Sequence, residues 1–530
     1  MTDTSERMLS RCDTAASGQS YIARLISLCC SAAALSLFLL ACSSRRVDPH
    51  TIVMIIESSP ANLDPRIGTD AFSERIDELL FDSLVRKDEH FALHPWVAQS
   101  WEIPDPLTYV FHLRSGIRFH DGRLLTARDV KWSIDSMTDG TVISAKTATY
   151  QHIASIEAIE DHTVIFHMKE PDSGLLWNLS DGAMGIVPYG SDKAFNLHPI
   201  GSGPFKFVRN VQDNEVVVDR NDDYWAEKPK VERVRFAVIP DTTTRALELR
   251  KGSADIQINS LTADMVGSLR NDSTLKIEQA PGTPVQYLGF NLRDPVLSDI
   301  RVRQAIAYAI DTAPMIHYLW RDTVRPATSV LPPQHWAYDA NLRPYVHDPQ
   351  QARELLKQAG YIDQPGKRLH LIMKTSTEET SRLLAVIVQQ QLHEVGIDLE
   401  LRTFEFATFY ADVVKGAFQI YTLRWVGGAN QDPEVFEYIY DTKSFAPRRA
   451  NRSYYSNPRV DDLIEQGRSE LDETKRKQIY ARIQQQTLHD LPTLNLWYFD
   501  NVIVHTARVK HIHPDPAGNY DFLRDAEIVQ

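Results

Sequence analysis

Residues 376–402, STEETSRLLAVIVQQQLHEVGIDLELR, contain a helix, its end and a strand in one run. Ser376 and Glu379 have the spacing of a capping box at the helix start, and Gly396 is the residue type that commonly follows a helix C-terminus. Apolar and polar residues then alternate over 397–402, as in a strand with one buried face. A helix that leads directly into a strand is typical of α/β domains. The apolar residues on one face of the helix are Leu383, Leu384, Ile387, Val388, Leu392 and Val395.

The same two patterns recur along the chain. Thr126 is a helix N-cap candidate, with Val130, Ile134 and Met137 on the inner face of the helix that follows. Repeated helices and strands without a fixed period predict mixed α/β domains. Further strands are predicted at residues 51–57, 109–113, 216–219, 234–239 and 286–291. Further helices are predicted at residues 75–84, 126–137, 243–250, 302–310 and 472–489.

Length and charge limit the class of protein. The chain has 530 residues, of which 43% are hydrophobic and 24% charged, so it is long enough for two or three well-packed domains. The formal net charge of -13 argues against nucleic acid as a partner, because a polyanion is bound through clustered Lys and Arg. These values favour a soluble globular protein over one that binds phosphate-rich partners.

The first 42 residues have the features of an export signal. An apolar block, residues 25–41, follows Arg24 and ends at Cys42, and it is shorter than a membrane-spanning helix. The junction resembles the lipobox of bacterial lipoproteins, although Leu40 stands where a small residue is more usual. We expect cleavage before Cys42, lipidation of Cys42, and a short polar tether over 43–50. The alternative is a signal anchor that is never cleaved.

No catalytic motif stands out. The chain has no GxxxxGK[ST] phosphate loop, no HExxH pair and no GxSxG nucleophile elbow. Cysteine chemistry is excluded after cleavage at Cys42, since the other three cysteines precede it. His511 and His513 are spaced to share a metal, but a surface pair is the more common meaning of this pattern. The sequence therefore predicts neither an enzyme nor a metal or other cofactor.

A series of short phrases, spread over residues 50–510, identifies a family. Together and in this order they resemble the family 5 extracytoplasmic solute-binding proteins of ABC transporters, the oligopeptide-, dipeptide- and nickel-binding group. The phrases are LDP (63–65), PWVAQSWE (95–102), TYVFHLR (108–114), FHDG (119–122), TARDV (126–130), GSGPF (201–205), NDDYW (221–225), PD (240–241), GFN (289–291), DIRVRQAI (299–306) and ARELLKQAGY (352–361).

The resemblance implies an α/β fold of the two-lobed periplasmic-binding-protein type, with an extra subdomain in lobe one and two hinge strands. The hinge crossings are expected near residues 287–289 and 493–495. The implied domains are a signal peptide (1–42), a tether (43–50), lobe one (51–94, 191–285 and 497–530), the extra subdomain (95–190) and lobe two (286–496).

The resemblance also implies where ligand binds. In peptide-binding members the loop after the Leu-Asp-Pro phrase lines the cleft, and a loop from a tryptophan to an Asp-Pro pair provides further contacts. In those proteins an aspartate three places after the tryptophan pairs with the peptide ammonium, whereas this chain has Gly428 there and no acid before Asp432. An unpaired buried ammonium is costly, so binding of a free α-amine in that way is not expected. The candidate ligand-binding residues are Thr69, Asp70, Ala71, Arg424, Trp425, Val426, Gly427, Gly428 and Asn430.

Several roles are open for this second loop. Trp425 is either a flat wall for ligand or a core residue, and the glycines either allow close backbone approach or only turn the chain. Arg424 pairs either with a ligand carboxylate or with a protein acid. Asp432 suits the cap of the following helix.

The expected function is that of a monomeric, lipid-anchored receptor outside the cytoplasm, which binds peptides or peptide-like solutes and delivers them to an ABC permease in the membrane. Two alternatives keep the fold: a ligand sensor without transport, and a receptor for a non-peptide solute such as a nickel chelate or a sugar. An extracytoplasmic hydrolase is a third class, and it would require a nucleophile or metal constellation.

Overall fold

A computed structural model of the chain describes residues 48–180, 184–361, 368–426 and 433–529. The predicted signal and Cys42 lie outside these residues. The strands are β1 (Thr51–Ile56), β2 (Val85–Lys87), β3 (Leu93–Pro95), β4 (Ala98–Asp105), β5 (Thr108–Leu113), β6 (Ile153–Ile159), β7 (Thr163–Met168), β8 (Phe205–Val211), β9 (Glu215–Arg220), β10 (Arg233–Val238), β11 (Ile256–Ile258), β12 (Leu275–Phe290), β13 (Val324–Pro326), β14 (Leu369–Ser376), β15 (Ile397–Phe404), β16 (Ile420–Trp425), β17 (Thr493–Thr506), β18 (Val509–Lys510) and β19 (Glu527–Ile528).

The helices complete a mixed α/β architecture. They are α1 (Ala71–Leu80), α2 (Ala127–Thr138), α3 (Leu175–Asn178), α4 (Thr242–Lys251), α5 (Ala263–Leu269), α6 (Ile300–Ala309), α7 (Thr312–Pro314), α8 (Pro349–Gln358), α9 (Glu379–Glu394), α10 (Phe406–Val414), α11 (Val435–Tyr440), α12 (Pro458–Ser469) and α13 (Glu473–Asp490).

One large sheet runs through the protein. Its strand order is β15-β14-β16-β12-β17-β11-β1-β10-β9-β8, and β13 pairs with β17 beside this path. Strands β1, β10 and β11 are parallel to one another and form the first strand group. Strands β14, β15 and β16 are also mutually parallel and form the second strand group. The long strands β12 and β17 lie between the two groups and pair with each other along most of their length.

The pairing of β12 with β17 is irregular at its middle. The register shifts between Pro281 and Val285 and again between Gln286 and Tyr287. On the N-terminal side of this stretch β17 pairs with β11, and on its C-terminal side β12 pairs with β16. The irregular stretch is therefore the boundary between the two strand groups. It lies a few residues before the expected hinge crossing at 287–289, which stays a prediction.

Separate hydrophobic clusters support the parts of the fold. One packs β1, β10 and β11 against α1 and residues near the C-terminus, and another packs β14–β16 against α6, α8 and α9. A third lies inside the four-stranded antiparallel sheet β4-β5-β7-β6 and α2. The apolar residues of this third cluster alternate along β5, where Tyr109, Phe111 and Leu113 are buried.

Most sequence-predicted elements are confirmed, with corrections at their ends. The helix predicted at 75–84 is α1, which begins at Ala71 because Asp70 caps it and ends at Leu80. The cap of α9 is Glu378, whose carboxylate accepts the Thr380 and Ser381 amides, so the capping box from Ser376 is wrong. Gly396 follows that helix with φ of +100°, as expected.

Candidate ligand-binding site

The C-terminal ends of the two strand groups face each other. Strand β11 runs antiparallel to β17 and therefore in the direction of β12, so β1, β10 and β11 all end toward the irregular middle of β12. Strand β16 runs antiparallel to β12, so β14, β15 and β16 end toward the same place from the other side. Open α/β sheets bind ligands at the carboxyl ends of their strands. This facing pair of strand ends is the candidate ligand-binding site.

The first predicted segment follows β1 and begins α1. Thr69 and Ala71 are exposed there. The Asp70 carboxylate accepts the backbone amides of Phe72 (3.2 Å), Ser73 (3.0 Å) and Ala61 (3.2 Å), as well as the Ser73 hydroxyl. Asp70 is thus a helix cap whose acceptors are already used, and ligand contact at this segment stays a prediction.

The neighbouring Leu-Asp-Pro phrase is structural. Asp64 and Arg66 form a buried ion pair, with both side chains about 1% exposed and an Nη2–Oδ2 distance of 2.7 Å. Arg66 also donates to Ser136 and to the carbonyls of Ser191 and Asp192. These bonds fix the loop between β1 and α1.

Trp425 ends β16 and packs on aromatic neighbours. Its ring stacks on Tyr287, with centroids 5.6 Å apart and planes at 11°, and it meets Tyr438 edge-on at 6.3 Å. The ring is only partly buried, so one part of it still reaches solvent at the strand ends. Trp425 is therefore a packing residue that also forms part of an accessible surface, and its contact with ligand stays a prediction.

Arg452 lies beside this tryptophan and was not predicted. Its guanidinium is 4.7 Å from the Trp425 ring centroid and donates to the hydroxyls of Tyr287 (3.3 Å) and Tyr410 (3.0 Å). Only 8% of Arg452 is exposed. Among the described residues no carboxylate lies within 4 Å of it, and tyrosine hydroxyls and aromatic faces hold the charge instead. Nothing in the sequence around Asn451 and Ser453 signals this role.

Arg424 points to the opposite face of β16 from Trp425, since neighbouring residues of a strand alternate. Its guanidinium lies 3.5 Å from the Phe499 ring centroid and 5.9 Å from that of Trp320. The side chain reaches solvent, yet desolvation lowers its pKa to about 10, with Glu378 opposing the shift. Arg424 remains protonated at neutral pH.

The rest of the second predicted segment is only partly described. Val426 is 61% exposed at the end of β16. Gly427, Gly428, Asn430 and Asp432 lie outside the described residues.

Several phrases that identify the family meet at one buried carboxylate instead of at the strand ends. Asp82, 1% exposed, accepts hydrogen bonds from Trp96, Ser202, Tyr224 and Trp225 at 2.8–3.0 Å. These donors come from the PWVAQSWE, GSGPF and NDDYW phrases. In this chain these three phrases therefore support the fold at Asp82, and sequence reasoning missed Asp82 because it lies outside all of the phrases.

The segment that follows β7 of the antiparallel sheet contacts helix α12 directly. Arg468 on α12 pairs with Glu170, with an Nη1–Oε1 distance of 2.8 Å. The Ser173 amide donates to the Arg468 carbonyl (3.0 Å), and the Ser173 hydroxyl donates to the Gly467 carbonyl (3.1 Å). These bonds link residues 170–173 to helix α12, in addition to the connection that β12 and β17 make between the two strand groups.

A cavity of about 280 Å³ lies away from the strand ends, between α6, α13 and the start of β17. Polar groups in its wall bond within the protein, such as the Tyr440 and Thr493 hydroxyls at 2.9 Å and the Gln484 amide with the Ala337 carbonyl at 2.8 Å. None of the predicted ligand-binding residues lines it. We therefore place the candidate site at the strand ends.

In the described part of the chain, no group of three or more His, Cys, Asp or Glu side chains is placed to hold a metal ion. Within the same residues, no helix has the length and apolar character needed to cross a bilayer.

Two parallel strand groups joined by two long strands, with their C-terminal ends facing, define a two-lobed solute-binding protein of the α/β class. Solved structures confirm this fold. The chain matches HbpA2 from Haemophilus parasuis with a TM-score of 0.81 and 23% identity, covering 91% of this chain and 100% of that one. It matches NikA from Brucella suis, in complex with Fe(III)-EDTA, with a TM-score of 0.81 and 25% identity, covering 90% and 100%.

Sequence comparison gives the family. Residues 92–446 match the middle region of the bacterial extracellular solute-binding proteins, family 5. The chain belongs to this family. It is 26% identical to the dipeptide-binding protein of Escherichia coli K12 over 509 residues, which are 90% of this chain and 94% of that protein. It is 29% identical to the probable di/tripeptide-binding protein 5 of Pseudomonas aeruginosa, over 90% and 95% of the two chains.

Proposed function

We propose that the protein captures peptides or peptide-like solutes between the facing strand ends and delivers them to an ABC permease in the membrane. The observation that carries this proposal is the convergence of both parallel strand groups on the irregular middle of β12, with the accessible edge of Trp425 at that place. Strand ends provide backbone amides and carbonyls, and an aromatic face contacts a side chain or peptide plane without requiring one sequence.

The peptide class is supported by the relatives, several of which are named for dipeptides, tripeptides or glutathione. We propose that Thr69, Asp70 and Ala71 border the ligand on one side and the segment 424–430 on the other. In the first segment the exposed Thr69 and Ala71 are better placed than Asp70, whose carboxylate caps α1.

Capture would follow closure of one lobe on the other. We propose the lobe boundaries given by the sequence (51–94, 191–285 and 497–530 for lobe one, 95–190 for its subdomain, 286–496 for lobe two), because the hydrophobic clusters divide in much the same way. The bonds of Glu170 and Ser173 to α12 would form in the closed state and break on opening. Ligand shifts this equilibrium by its higher affinity for the closed state.

Delivery to a permease requires the receptor to stay outside the cytoplasm, near the membrane. We propose that lipidated Cys42 anchors it there as a monomer and that it performs no chemistry on its ligand. The family description, extracellular solute-binding, supports the location.

The test is photo-crosslinking of bound peptide. The full chain would carry a photoreactive phenylalanine analogue at Val426 or, as the control, at Val386 on α9, which is similarly exposed. A random tripeptide library should crosslink at position 426 and not at 386. Equal or absent crosslinking at both positions would contradict the proposed site.

A further inference from the structure

We propose that the ligand carries a carboxylate that Arg424 binds through its guanidinium edge. This inference rests on the proposed function and specifies the chemical class of its ligand. Arg424 occupies the penultimate position of β16, opposite Gln286 of β12 and therefore next to the irregular middle of that strand. This is the place where the two sets of strand ends converge.

The aromatic support of Arg424 leaves its hydrogen-bonding edge available. The guanidinium carbon is 3.5 Å from the Phe499 ring centroid, so the ring covers a face of the guanidinium and contributes a cation–π contact. The N–H groups of a guanidinium lie in its plane and form a fork that matches both oxygens of a carboxylate. Among the described residues no hydrogen-bond acceptor or ion-pair partner meets this fork, although the side chain is accessible to solvent.

The acids near Arg424 are already engaged. Glu378 caps α9 by accepting the amides of Thr380 (3.0 Å) and Ser381 (2.7 Å). Asp500, next to Phe499, binds Arg325 at 2.5 Å and the Gln279 amide at 2.8 Å. Thus the neighbouring Arg325 has an acid at contact distance, whereas Arg424 has none in the part of the chain that the structure describes.

The second cation at this strand end strengthens the argument. Arg452, on the other face of β16, also lacks a carboxylate within 4 Å among the described residues. Arg424 and Arg452, neither with a contacting acid among the described residues, raise the positive potential around Trp425, and a site of this sign attracts an anionic group and disfavours an ammonium.

The test compares peptides that differ only in one charge. A tripeptide library without acidic side chains would be synthesised twice, with free C-terminal carboxylates and with C-terminal amides, and binding to the full chain measured by equilibrium dialysis and mass spectrometry. We expect the acids to bind roughly ten- to a hundredfold more tightly, as for a charge-assisted hydrogen-bonded pair. A third library, amidated but containing one glutamate, distinguishes a side-chain carboxylate from the C-terminal one, and either would support the inference.

Variants assign the effect to Arg424. Arg424→Gln should reduce the preference for acids to less than about threefold, and Arg424→Lys should keep part of it, because lysine retains the charge but not the fork. The matched control is Arg402→Gln on the second-group strand β15, where Arg402 is already paired with Glu400 at 2.6 Å. This variant should leave the preference unchanged.

Two results would overturn the inference while leaving the proposed function intact: equal binding of acids and amides by the unaltered chain, or an undiminished preference in Arg424→Gln. The first comparison needs no variant, so it is decisive even if Arg424→Gln folds poorly. Failure of every peptide library to bind would contradict the proposed function itself.

Discussion

Replacing Asp82 with asparagine should destabilise the protein strongly without changing the shape of the buried side chain. One carboxylate oxygen accepts Trp96 Nε1 at 2.8 Å and the Tyr224 hydroxyl at 3.0 Å. The other accepts the Ser202 hydroxyl at 2.9 Å and Trp225 Nε1 at 3.0 Å. An asparagine offers one oxygen in place of two, so its NH₂ group must face one of these pairs.

The cost follows from which donors can adapt. A hydroxyl can rotate and accept a hydrogen bond from the NH₂ group, but an indole N–H cannot, so one tryptophan loses its partner. An orphaned buried donor costs about 1–3 kcal/mol, and each remaining bond weakens by about 1 kcal/mol when its acceptor loses its charge. Because a neutral amide is easier to bury, we expect a net loss of about 3–5 kcal/mol, in the range observed for broken buried charge networks.

The assay is urea unfolding of the full chain, followed by far-UV circular dichroism, with the free-energy change taken from the shift in midpoint. Asp223→Asn is the surface control, since the Asp223 side chain is 84% exposed. In a Trp225→Phe background the asparagine can turn its NH₂ group toward Ser202 and leave no orphaned indole. The cost of Asp82→Asn should then fall by about 1–3 kcal/mol. A loss below about 0.5 kcal/mol, or an equal cost in both backgrounds, would refute this reasoning.

Three further predictions concern other residues. Trp425→Ala should weaken peptide binding about tenfold, which corresponds to the loss of one aromatic contact of about 1.4 kcal/mol. Trp425→Phe keeps a ring and should lose less affinity. Equilibrium dialysis measures the affinity of both variants. Desolvation lowers the pKa of His120 to about 4 in the folded protein, below its value in the unfolded chain. The free energy of unfolding should therefore fall by about 3 kcal/mol as the pH drops from 6.5 to 4. The urea midpoint of His120→Gln should lack this part of the pH dependence. Burial raises the pKa of Asp77 well above its usual value. As the pH rises, this carboxyl ionises more readily in the unfolded chain than in the fold, which lowers the free energy of unfolding. Asp77→Asn removes this effect, so it should be stabilising at pH 7.5 and neutral below about pH 4.

These three have distinct contrary outcomes. Unchanged affinity in Trp425→Ala, or loss of folding in place of loss of affinity, would leave Trp425 only its packing role on Tyr287. For His120, an identical pH profile in both proteins would assign the acid sensitivity to other groups. For Asp77, a variant that is less stable at pH 7.5 would show that the carboxyl has a hydrogen-bond partner in solution.

The fold could be predicted from sequence because local and global signals agree. The apolar spacing in α9, the glycine after it and the alternation in β15 each specify the same local structure, and their order specifies an α/β domain. The ends of elements were less predictable, because a cap depends on which side chain reaches the free amides. At α9 that residue is Glu378 and not Ser376.

The site could be predicted only in part, since its residues come from distant parts of the chain. Arg424 and Trp425 could be proposed from the sequence because they adjoin a recognisable loop, and their contact with ligand stays a prediction. Tyr287 and Arg452 could not be proposed, although they contact Trp425, because only the pairing of β12 with β16 and the loop before α12 bring them together. Asp82 was missed for the same reason, since its four donors lie between 14 and 143 residues away.

The most direct test of the central claim is mass spectrometry of the ligand that the protein carries. The full chain would be purified in detergent from its own host, denatured, and the released small molecules identified. Capture between strand ends through backbone and aromatic contacts predicts short peptides of mixed sequence that keep a free carboxylate. Recovery of a single non-peptide compound would contradict the claim that this receptor binds peptides.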